Sequence, residues 1–313
     1  MIDSKFLHGV IGEKGFRFTE KQLVSYEKYG ESTRIRTNCL SGVCIAMKTK
    51  SKNIEMELGI KGRARNYMGF DLEVDGTVVK SMRIMDLTPE IKQLKLSLYQ
   101  FADEKEREIR LYLPVSVEVE IISFSATGKP LKKPENKILF LGDSITQGMD
   151  SVSPICTYPW VVARILKADF INQGVGGHIF DADTLDEDFP FIPDIITVSY
   201  GVNDWNKDFS IRQMKQNVLS YFEKLKKIFP ESKIFAITPI WTAREDQKKQ
   251  AGSLQDVRKI IKEMAERTGC IVIDGLSLVP HSGYYFVDGI HPNEAGHLIY
   301  GINLACQLNK FTS

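Results

Sequence analysis

The chain has 313 residues, a formal net charge of +1, 43% apolar residues and 26% charged residues. This length and composition are ordinary for a globular protein of two domains, each large enough to bury its own core. Because acidic and basic residues nearly balance and are interspersed along the chain, nothing in the composition favours nucleic acid or an anionic membrane as a partner.

The start of the chain, MIDSKFLHGVIGEKGFRF, lacks the uninterrupted apolar stretch of a signal peptide. No later segment has the roughly 18 consecutive apolar residues that a membrane-spanning helix needs. The five cysteines are irregularly spaced, which predicts reduced thiols rather than disulfides or a zinc site. We therefore expect a cytoplasmic protein with no membrane partner.

The first half of the chain is dominated by alternating apolar and polar residues. From about Arg34 to Ser123 this period of two predicts strands with one buried face, as in the segment VEVEI at 117–121. Asp75-Gly76, between two such runs, is typical of a two-residue hairpin turn. Many short antiparallel strands predict a β-sandwich of jelly-roll type, which we assign to residues 1–132 as an accessory domain.

The second half has a different pattern. A polar, proline-containing segment at residues 125–137 is predicted to be a linker. Short apolar strands then alternate with amphipathic helices, and the predicted strands are residues 137–141, 169–172, 194–199, 233–238 and 270–274. The last helix is predicted to start near Asn293 and to bury Leu298, Ile302 and Ala305. This alternation predicts an α/β domain at residues 133–313, with an open parallel sheet covered on both faces.

Reactive side chains and glycines follow each predicted strand of the second half. In such a sheet, functional groups collect beyond the carboxyl ends of the strands. The segments found there are GDSITQG (142–148), NQGVGGH (172–178), GVNDW (201–205), PIW (239–241) and DGIHP (288–292). They are therefore expected to meet at one rim of the sheet.

Three of these side chains have the chemistry of a catalytic triad. A serine hydroxyl is a weak nucleophile and needs an adjacent base, and His291 can accept the proton of Ser144. Asp288 lies three residues before His291, so one short turn can hold its carboxylate against the other imidazole nitrogen. The oxyanion of a tetrahedral intermediate needs fixed donors, and the candidates are the N–H groups of Ser144 and Gly177 and the side-chain amide of Asn203.

The motifs GDSITQG, NQGVGG, GVND and DGIHP resemble, in order, the four sequence blocks of SGNH (GDSL-like) hydrolases. The resemblance covers the chain from about Lys137 onward and implies a flavodoxin-like, three-layer α/β/α fold. It implies that Ser144, Gly177, Asn203 and His291 are the four residues after which the family is named, with Asp288 as the aspartate. Gly177 is chosen over the neighbouring glycines by the family spacing from Asn172. The first half is similar to the β-sandwich that precedes the catalytic domain in some two-domain carbohydrate esterases.

Other side chains near these motifs have two interpretations each. His178, Trp205 and Trp241 are predicted either to contact substrate around a small acyl pocket or to belong to loops and core. Asp143 and Asp204 are predicted to brace their own loops by hydrogen bonds. Asp288 and His291 could also bind a metal, but spacing along the chain offers no third ligand, so we predict no metal site.

The residues together predict a serine esterase that uses no cofactor. The resemblance implies that its substrates are short-chain, chiefly acetyl, esters of sugars or oligosaccharides. The alternatives are a general short-chain esterase or lysophospholipase, and a carbohydrate-binding protein whose hydrolase domain is inert. We expect a small-molecule or oligosaccharide ester as the substrate and neither nucleic acid nor a membrane as a partner, and the sequence leaves the oligomeric state open.

Overall fold

The computed structural model describes residues 2–12 and 16–311 of the chain. The first half carries nine described strands: β1 (Leu7–His8), β2 (Cys44–Thr49), β3 (Asn53–Arg63), β4 (Met68–Val74), β5 (Thr77–Ile84), β6 (Gln93–Gln100), β7 (Arg107–Tyr112), β8 (Val117–Phe124) and β9 (Gly128–Pro130). One antiparallel sheet has the order β1-β2-β7-β4-β5 with β9 beside β2, and the other has the order β6-β3-β8. Their apolar faces share one core, which includes Ile45, Leu58, Phe70 and Leu111. The predicted β-sandwich is confirmed.

The predicted hairpin joins β4 to β5. Asp75 and Gly76 have φ angles of 47° and 84°, the left-handed pair that a two-residue type I′ turn requires. Part of the predicted linker is also a strand, because β9 pairs with β2 at its edge. Gly128 allows that pairing, since a Cβ there would lie 2.1 Å from the carbonyl oxygen of Lys48. The linker prediction was therefore wrong for residues 128–130.

Two helices precede β2: α1 (Glu20–Glu27) and α2 (Glu31–Asn38). The segment that carries them packs against the second half of the chain, where Phe18 and Tyr26 share a small core with Val175. The side chain of Arg17 is 1% exposed and donates to the carbonyl oxygens of Cys39 and Asn172. A division at residue 132 stays a prediction, and these contacts tie the start of the chain closely to the later half.

The second half contains a parallel sheet of β10 (Lys137–Gly142), β11 (Asp169–Gly174), β12 (Ile195–Ser199), β13 (Lys233–Ile237) and β14 (Ile271–Ile273). Its order is β11-β10-β12-β13-β14 and all four described pairings are parallel. The helices are α3 (Ser144–Gln147), α4 (Tyr158–Ile165), α5 (Val202–Asn206), α6 (Ile211–Ile228), α7 (Leu254–Arg267) and α8 (Glu294–Leu308). Short 3₁₀ turns lie at Ser4–Phe6, Pro154–Cys156, Ala182–Thr184, Gly275–Ser277, Gly283–Tyr285 and Asn309–Phe311.

Helices cover both faces of this sheet. On one face α6 and α7 bury Val218 and Ile261 against the strands, and on the other face α4 and α8 bury Val162 and Leu304. The predicted three-layer α/β/α arrangement is confirmed. No helix among the described residues combines the length and the apolar character required to cross a membrane.

The last helix differs from its prediction in the face that it buries. Asn293 caps α8 as expected, but Leu298 and Ile302 are 38% and 48% exposed. The helix turns Tyr300 and Gly301 inward instead, because Tyr300 stacks on Tyr158 with ring centroids 4.1 Å apart. Of the predicted inner residues, Ala305 is buried. Apolar residues on nearly all sides of α8 left its inner face undetermined by sequence.

Candidate active site

The loops after β10, β11 and β12 meet at one rim of the parallel sheet. Gly142, at the end of β10, pairs in register with Gly174 on β11 and with Ser199 on β12. The sheet therefore places the segments that follow, which contain Ser144, Gly177 and Asn203, side by side. The motifs after these three strands were expected to lie close together, and the parallel register of the strands brings them to one rim.

Ser144 begins α3, the single turn directly after β10. Asp143 caps this turn, since its Oδ1 accepts the backbone N–H of Ile145 at 3.1 Å. Only glycine fits at position 142, because a Cβ there would lie 1.9 Å from Oγ1 of Thr146. A helix of four residues has a small dipole, so local N–H groups, rather than a long helix, are the polar groups available to a developing anion.

Ser144, His291 and Asp288 form one continuous hydrogen-bonded chain. The Oγ of Ser144 lies 2.9 Å from Nε2 of His291, and Nδ1 of His291 lies 2.8 Å from Oδ2 of Asp288. Ser144 is 8% exposed and the His291 side chain is 17% exposed, so this pair is sheltered but not fully closed off from solvent. This is the geometry in which a neutral imidazole can accept a serine proton while a carboxylate fixes its tautomer.

The carboxylate of Asp288 is held in its ionised form. Its Oδ1 accepts the backbone N–H groups of Ile290 and His291 at 2.9 and 2.8 Å. Partial burial alone raises the pKa of Asp288, but the hydrogen bonds from the backbone and ring of His291 outweigh burial and lower that pKa to about 2. Asp288 is therefore an anion throughout the neutral range.

A second carboxylate, which the sequence interpretation missed, lies at the same imidazole nitrogen. Oδ2 of Asp150 is 3.3 Å from Nδ1 of His291. Asp150 in turn accepts from Arg65 at 2.7 and 3.0 Å and from the hydroxyl of Tyr67 at 2.5 Å. Arg65 and Tyr67 lie between β3 and β4 of the sandwich, so no local spacing along the chain connects them to the motif of Ser144.

Asp150 also brings a third side chain of a ligand type close to Asp288 and His291, which spacing along the chain did not reveal. One ligand atom from each of Asp150, Asp288 and His291 lies within 4.8 Å of the others. However, Arg65 already places a cationic group against both oxygens of Asp150. These three side chains therefore suit a histidine hydrogen-bonded between two carboxylates. That the reaction uses no metal stays a prediction.

The side chain of Asn203 lies beside the turn that carries Ser144. Its Nδ2 donates to the carbonyl oxygen of His178 at 3.0 Å and lies 3.4 Å from Oδ2 of Asp143. Gly177 has a φ of 79° and forms part of a tight turn in which the N–H of His178 donates to the carbonyl of Val175 at 3.1 Å. A Cβ at Gly177 would meet nothing within 4 Å, so this backbone faces open space.

Two buried acids brace the loops, as the sequence predicted. Asp143 is the N-cap of α3, and Oδ1 of Asp204 accepts the N–H of Phe180 at 3.1 Å. Burial raises the pKa of Asp143 to about 6 and that of Asp204 to about 7. Both carboxyl groups thus sit in surroundings that disfavour their charged forms.

The three side chains suggested for the acyl pocket lie in different surroundings. His178 is 3% exposed among the rings of Tyr26 and Tyr29, and burial lowers its pKa to about 3. Trp205 is 0% exposed in the core beneath the helices, and its Nε1 donates to the carbonyl of Gly252 at 2.9 Å. Both side chains are therefore buried among other residues, and a contact of either with substrate stays a prediction.

Trp241 is the partly exposed member of the three. Its ring packs against Phe286 with centroids 5.2 Å apart and stacks on His281. The segment that follows Trp241 borders the loop that carries His291, because the N–H of Ala243 donates to the carbonyl of Gly289 at 2.8 Å. Trp241 thus lies close to the rim of the site in sequence and in space.

Comparison with known proteins identifies the family and the fold of the chain. Residues 140–299, about half of the chain, match the GDSL-like lipase/acylhydrolase family. No curated protein matches the chain by sequence.

Solved structures match nearly the whole chain at low sequence identity. A protein described as a GDSL-like lipase from Bacteroides ovatus has a TM-score of 0.79 and 18% identity over 99% of this chain and 96% of its own. The salicylyl-acyltransferase SsfX3 from a tetracycline biosynthetic pathway has a TM-score of 0.74 and 16% identity over 97% and 94%. A family two carbohydrate esterase from Clostridium thermocellum, solved with cellohexaose, has a TM-score of 0.68 and 18% identity over 87% and 94%. At this identity the similarity establishes the shared fold.

Proposed function

Because the chain belongs to the GDSL-like lipase/acylhydrolase family and is an ester hydrolase, we propose that Ser144, His291 and Asp288 form its catalytic triad. Its proposed substrates are short-chain, chiefly acetyl, esters of sugars or oligosaccharides. The observation that supports the triad most directly is the 2.9 Å approach of the Ser144 hydroxyl to Nε2 of His291.

The proposed reaction is a double displacement. His291 accepts the proton of Ser144 as the hydroxyl attacks the ester carbonyl, and the imidazolium then gives that proton to the departing alcohol. The acyl group is left on Ser144 Oγ. Water, deprotonated by His291, attacks the acyl-serine. The bond between the acyl carbon and Oγ then breaks, His291 returns the proton to Ser144 Oγ, and the carboxylic acid leaves. The cycle uses only side chains, backbone groups and water.

The oxyanion of each tetrahedral intermediate would be stabilised by three donors. These are the backbone N–H groups of Ser144 and Gly177 and the side-chain amide of Asn203. The open space at Gly177 and the place of Asn203 beside the serine motif support this assignment. The present bond from Asn203 to the His178 carbonyl keeps the amide oriented before substrate arrives.

The segments that border the site favour a short acyl group. Residues 242–252 are rich in charged residues and mostly exposed, and Glu245 anchors them through an ion pair of 2.6 Å with the buried Arg258. Residues 147–156 are mostly small or polar. Of their larger apolar side chains, Met149 is 2% exposed, and Val152 and Ile155 are half-buried, with Ile155 packed against Ala46 and Tyr112. Each methylene group gains about 0.8 kcal/mol on leaving water, and neither segment offers the apolar groove that would collect this gain for a long chain.

The proposal that a sugar forms the alcohol part of the ester is based on the two-part architecture. The carbohydrate esterase from Clostridium thermocellum shares this fold over most of the chain and was solved with a cello-oligosaccharide. Polar rim segments suit a hydroxyl-rich leaving group better than an apolar one. A general short-chain esterase or lysophospholipase, and an inert binding protein, remain the alternatives to be separated by experiment.

Two assays on the same pure protein separate these functions. The first measures kcat/KM for p-nitrophenyl esters from acetate to decanoate, and we expect a maximum at acetate or propionate with a steep fall by hexanoate. The second measures acetate release from acetylated mono- and oligosaccharides. A rate that rises through octanoate would favour the lipase alternative, and no turnover of any ester would favour the inert binding protein.

We also propose that the protein acts in the cytoplasm. The five cysteines have no disulfide partner among one another, including Cys39, Cys44 and Cys270, which are buried. Free thiols are typical of a reducing compartment. Subcellular fractionation with a tagged chain tests this location.

A further inference from the structure

The imidazole of His291 faces two carboxylates, and the mechanism above uses only one of them. We propose that Asp150 is a positioning residue, which shares the Nδ1–H of His291 with Asp288 and is itself held by Arg65 and Tyr67 of the amino-terminal sandwich. The inference rests on the proposed function of Ser144 and His291. It makes the sandwich part of the machinery that aligns the base, rather than only an accessory.

The geometry at Nδ1 is that of one donor between two acceptors. Asp288 Oδ2 lies 2.8 Å away and Asp150 Oδ2 lies 3.3 Å away. An imidazole N–H has a single hydrogen, so the closer Asp288 accepts the main bond and Asp150 accepts the weaker branch. Two acceptors on different loops restrict the rotation of the ring more than one acceptor does.

The backbone at Asp150 is shaped to present its side chain to the histidine. Its φ of 70° lies in the left-handed region, which is uncommon for a residue other than glycine. The Asp150 side chain is nevertheless 6% exposed and fully engaged. Strained backbone of this kind persists where surrounding contacts fix it, and it is common at functional sites.

Arg65 and Tyr67 determine where this carboxylate lies. Arg65 contacts both oxygens through a two-pronged bond, and Tyr67 donates to Oδ1. Burial raises the pKa of Asp150, but the hydrogen bonds from Arg65 and Tyr67 outweigh burial and hold that pKa below its ordinary value. Asp150 is thus an anion whose position is set by the sandwich.

The loop that carries Asp150 is itself built onto strand β4. A Cβ at Gly69 would lie 2.2 Å from the carbonyl oxygen of Val152, so the two backbones are in close contact there. Oγ of Ser153 donates to Oδ2 of the buried Asp71 at 2.7 Å. These contacts fix the loop from the side of the sandwich, independently of the triad.

The charges of the cluster favour the protonated intermediate of the reaction. With a neutral imidazole, Asp150, Asp288 and Arg65 together carry one net negative charge. When His291 takes the proton of Ser144, the cluster becomes neutral. A fixed surplus of one negative charge therefore stabilises the imidazolium as it forms, without movement of the surrounding groups.

A purely structural ion pair between Asp150 and Arg65 is the competing explanation, and a double-mutant cycle separates the two. The variants are Asp150→Asn, Asp288→Asn and the double variant, assayed for kcat and KM on p-nitrophenyl acetate. Asparagine keeps the shape of the side chain and tolerates the left-handed backbone. If Asp150 shares the histidine proton, its loss matters most when Asp288 is absent.

We expect Asp150→Asn to lower kcat by about threefold to tenfold in the wild type and by at least about tenfold more in the Asp288→Asn background, because residues that share one partner are not additive. KM should change little. If Asp150 has only a structural role, Asp150→Asn should lower kcat by the same factor in both backgrounds. That result would overturn the inference.

The pH profile of kcat/KM provides a second readout that structural damage would not move. The groups that face the His291 ring are Asp288 and Asp150, with Asp143 and His297 acting at longer range and Arg65 behind Asp150. Loss of the Asp150 charge disfavours the imidazolium, so the acid limb should move to lower pH by about half a unit to one unit. An unmoved limb would count against the inference.

Two further variants control for folding. Tyr67→Phe removes only the hydroxyl that orients Asp150 and leaves the carboxylate charged, so it should lower kcat by a smaller factor than Asp150→Asn does. Arg83→Gln breaks a different ion pair between the two halves, Arg83 to Glu294 at 2.7 Å, and should leave kcat and the limb unchanged. Equal effects of Tyr67→Phe and Arg83→Gln would overturn the inference even if Asp150→Asn fails to fold. Failure of the proposed function is seen separately, as full activity in Ser144→Ala.

Discussion

Asp288 contacts His291 twice, through its Oδ1 to the backbone N–H at 2.8 Å and through its Oδ2 to Nδ1 at 2.8 Å. The first contact fixes the loop and the second fixes the ring, so one carboxylate sets both position and tautomer. We expect Asp288→Asn to lower kcat by about a thousandfold, because an amide can donate to Nδ1 and select the wrong tautomer. The check is steady-state kinetics on p-nitrophenyl acetate, and a loss below about tenfold would remove Asp288 from the triad.

Asn203 is expected to act in the transition state. We expect Asn203→Ala and the near-isosteric Asn203→Asp each to lower kcat by about a hundredfold or more with a smaller change in KM, since the amide bond to the oxyanion forms mainly during attack. Kinetics on one acetyl ester measure both constants. An unchanged kcat with a raised KM would assign Asn203 to substrate binding instead.

Two glycines of the NQGVGG segment should respond differently to alanine. A Cβ at Gly174 would lie 2.1 Å from the backbone nitrogen of Gln147, in the turn that carries Ser144, whereas a Cβ at Gly177 meets nothing within 4 Å. We expect Gly174→Ala to displace that turn and abolish most activity or folding. Gly177→Ala keeps the proposed N–H donor and should cost about 1 to 2 kcal/mol of stability from its left-handed backbone.

Thermal unfolding and ester turnover of the two variants, measured side by side, check this contrast. Similar behaviour of both variants would contradict the assignment of Gly174 to close packing.

Asp204 should make the protein less stable as pH rises. Burial raises its folded-state pKa from 3.8 to about 7, so between about pH 4 and pH 7 the folded chain holds a proton that the unfolded chain has released. The stabilising contribution is therefore complete below pH 4 and is lost as pH rises through 7. We expect Asp204→Asn to reduce the loss of stability between pH 5 and pH 8 by at least about 1 kcal/mol.

Denaturant unfolding of wild type and variant at the two pH values gives this difference. Because Asp143 is buried as well and its pKa is raised to about 6, the variant should keep part of the pH dependence. Identical profiles for the two proteins would show that Asp204 is not a buried acid.

Much of the fold follows from short-range patterns in the chain. The period of two around VEVEI and the turn at Asp75-Gly76 depend on neighbouring residues, and the structure forms the sandwich and hairpin there. The apolar strands of the second half likewise predicted the parallel sheet. Since parallel strands end at one rim, the residues after them could be expected to meet, and Ser144 does contact His291.

The features that sequence did not reveal depend on packing between distant segments. Asp150 meets Arg65 only because the loop after α3 lies on the sandwich, and no periodicity encodes that contact. Trp205 could have faced either the cleft or the core, and its burial is decided by how α5 lies against α7. Leu298 and Ile302 were misassigned because apolar residues surround α8, so period alone could not select its inner face.

The most direct test of the central claim is the kcat/KM of Ser144→Ala for p-nitrophenyl acetate, compared with that of the wild type. The melting temperatures of the two proteins should be equal, which shows that the variant is folded. Because the acyl group is proposed to form a bond with Ser144 Oγ, the account predicts a loss of at least about a thousandfold. A variant that is folded and retains more than about a tenth of wild-type kcat/KM would contradict it.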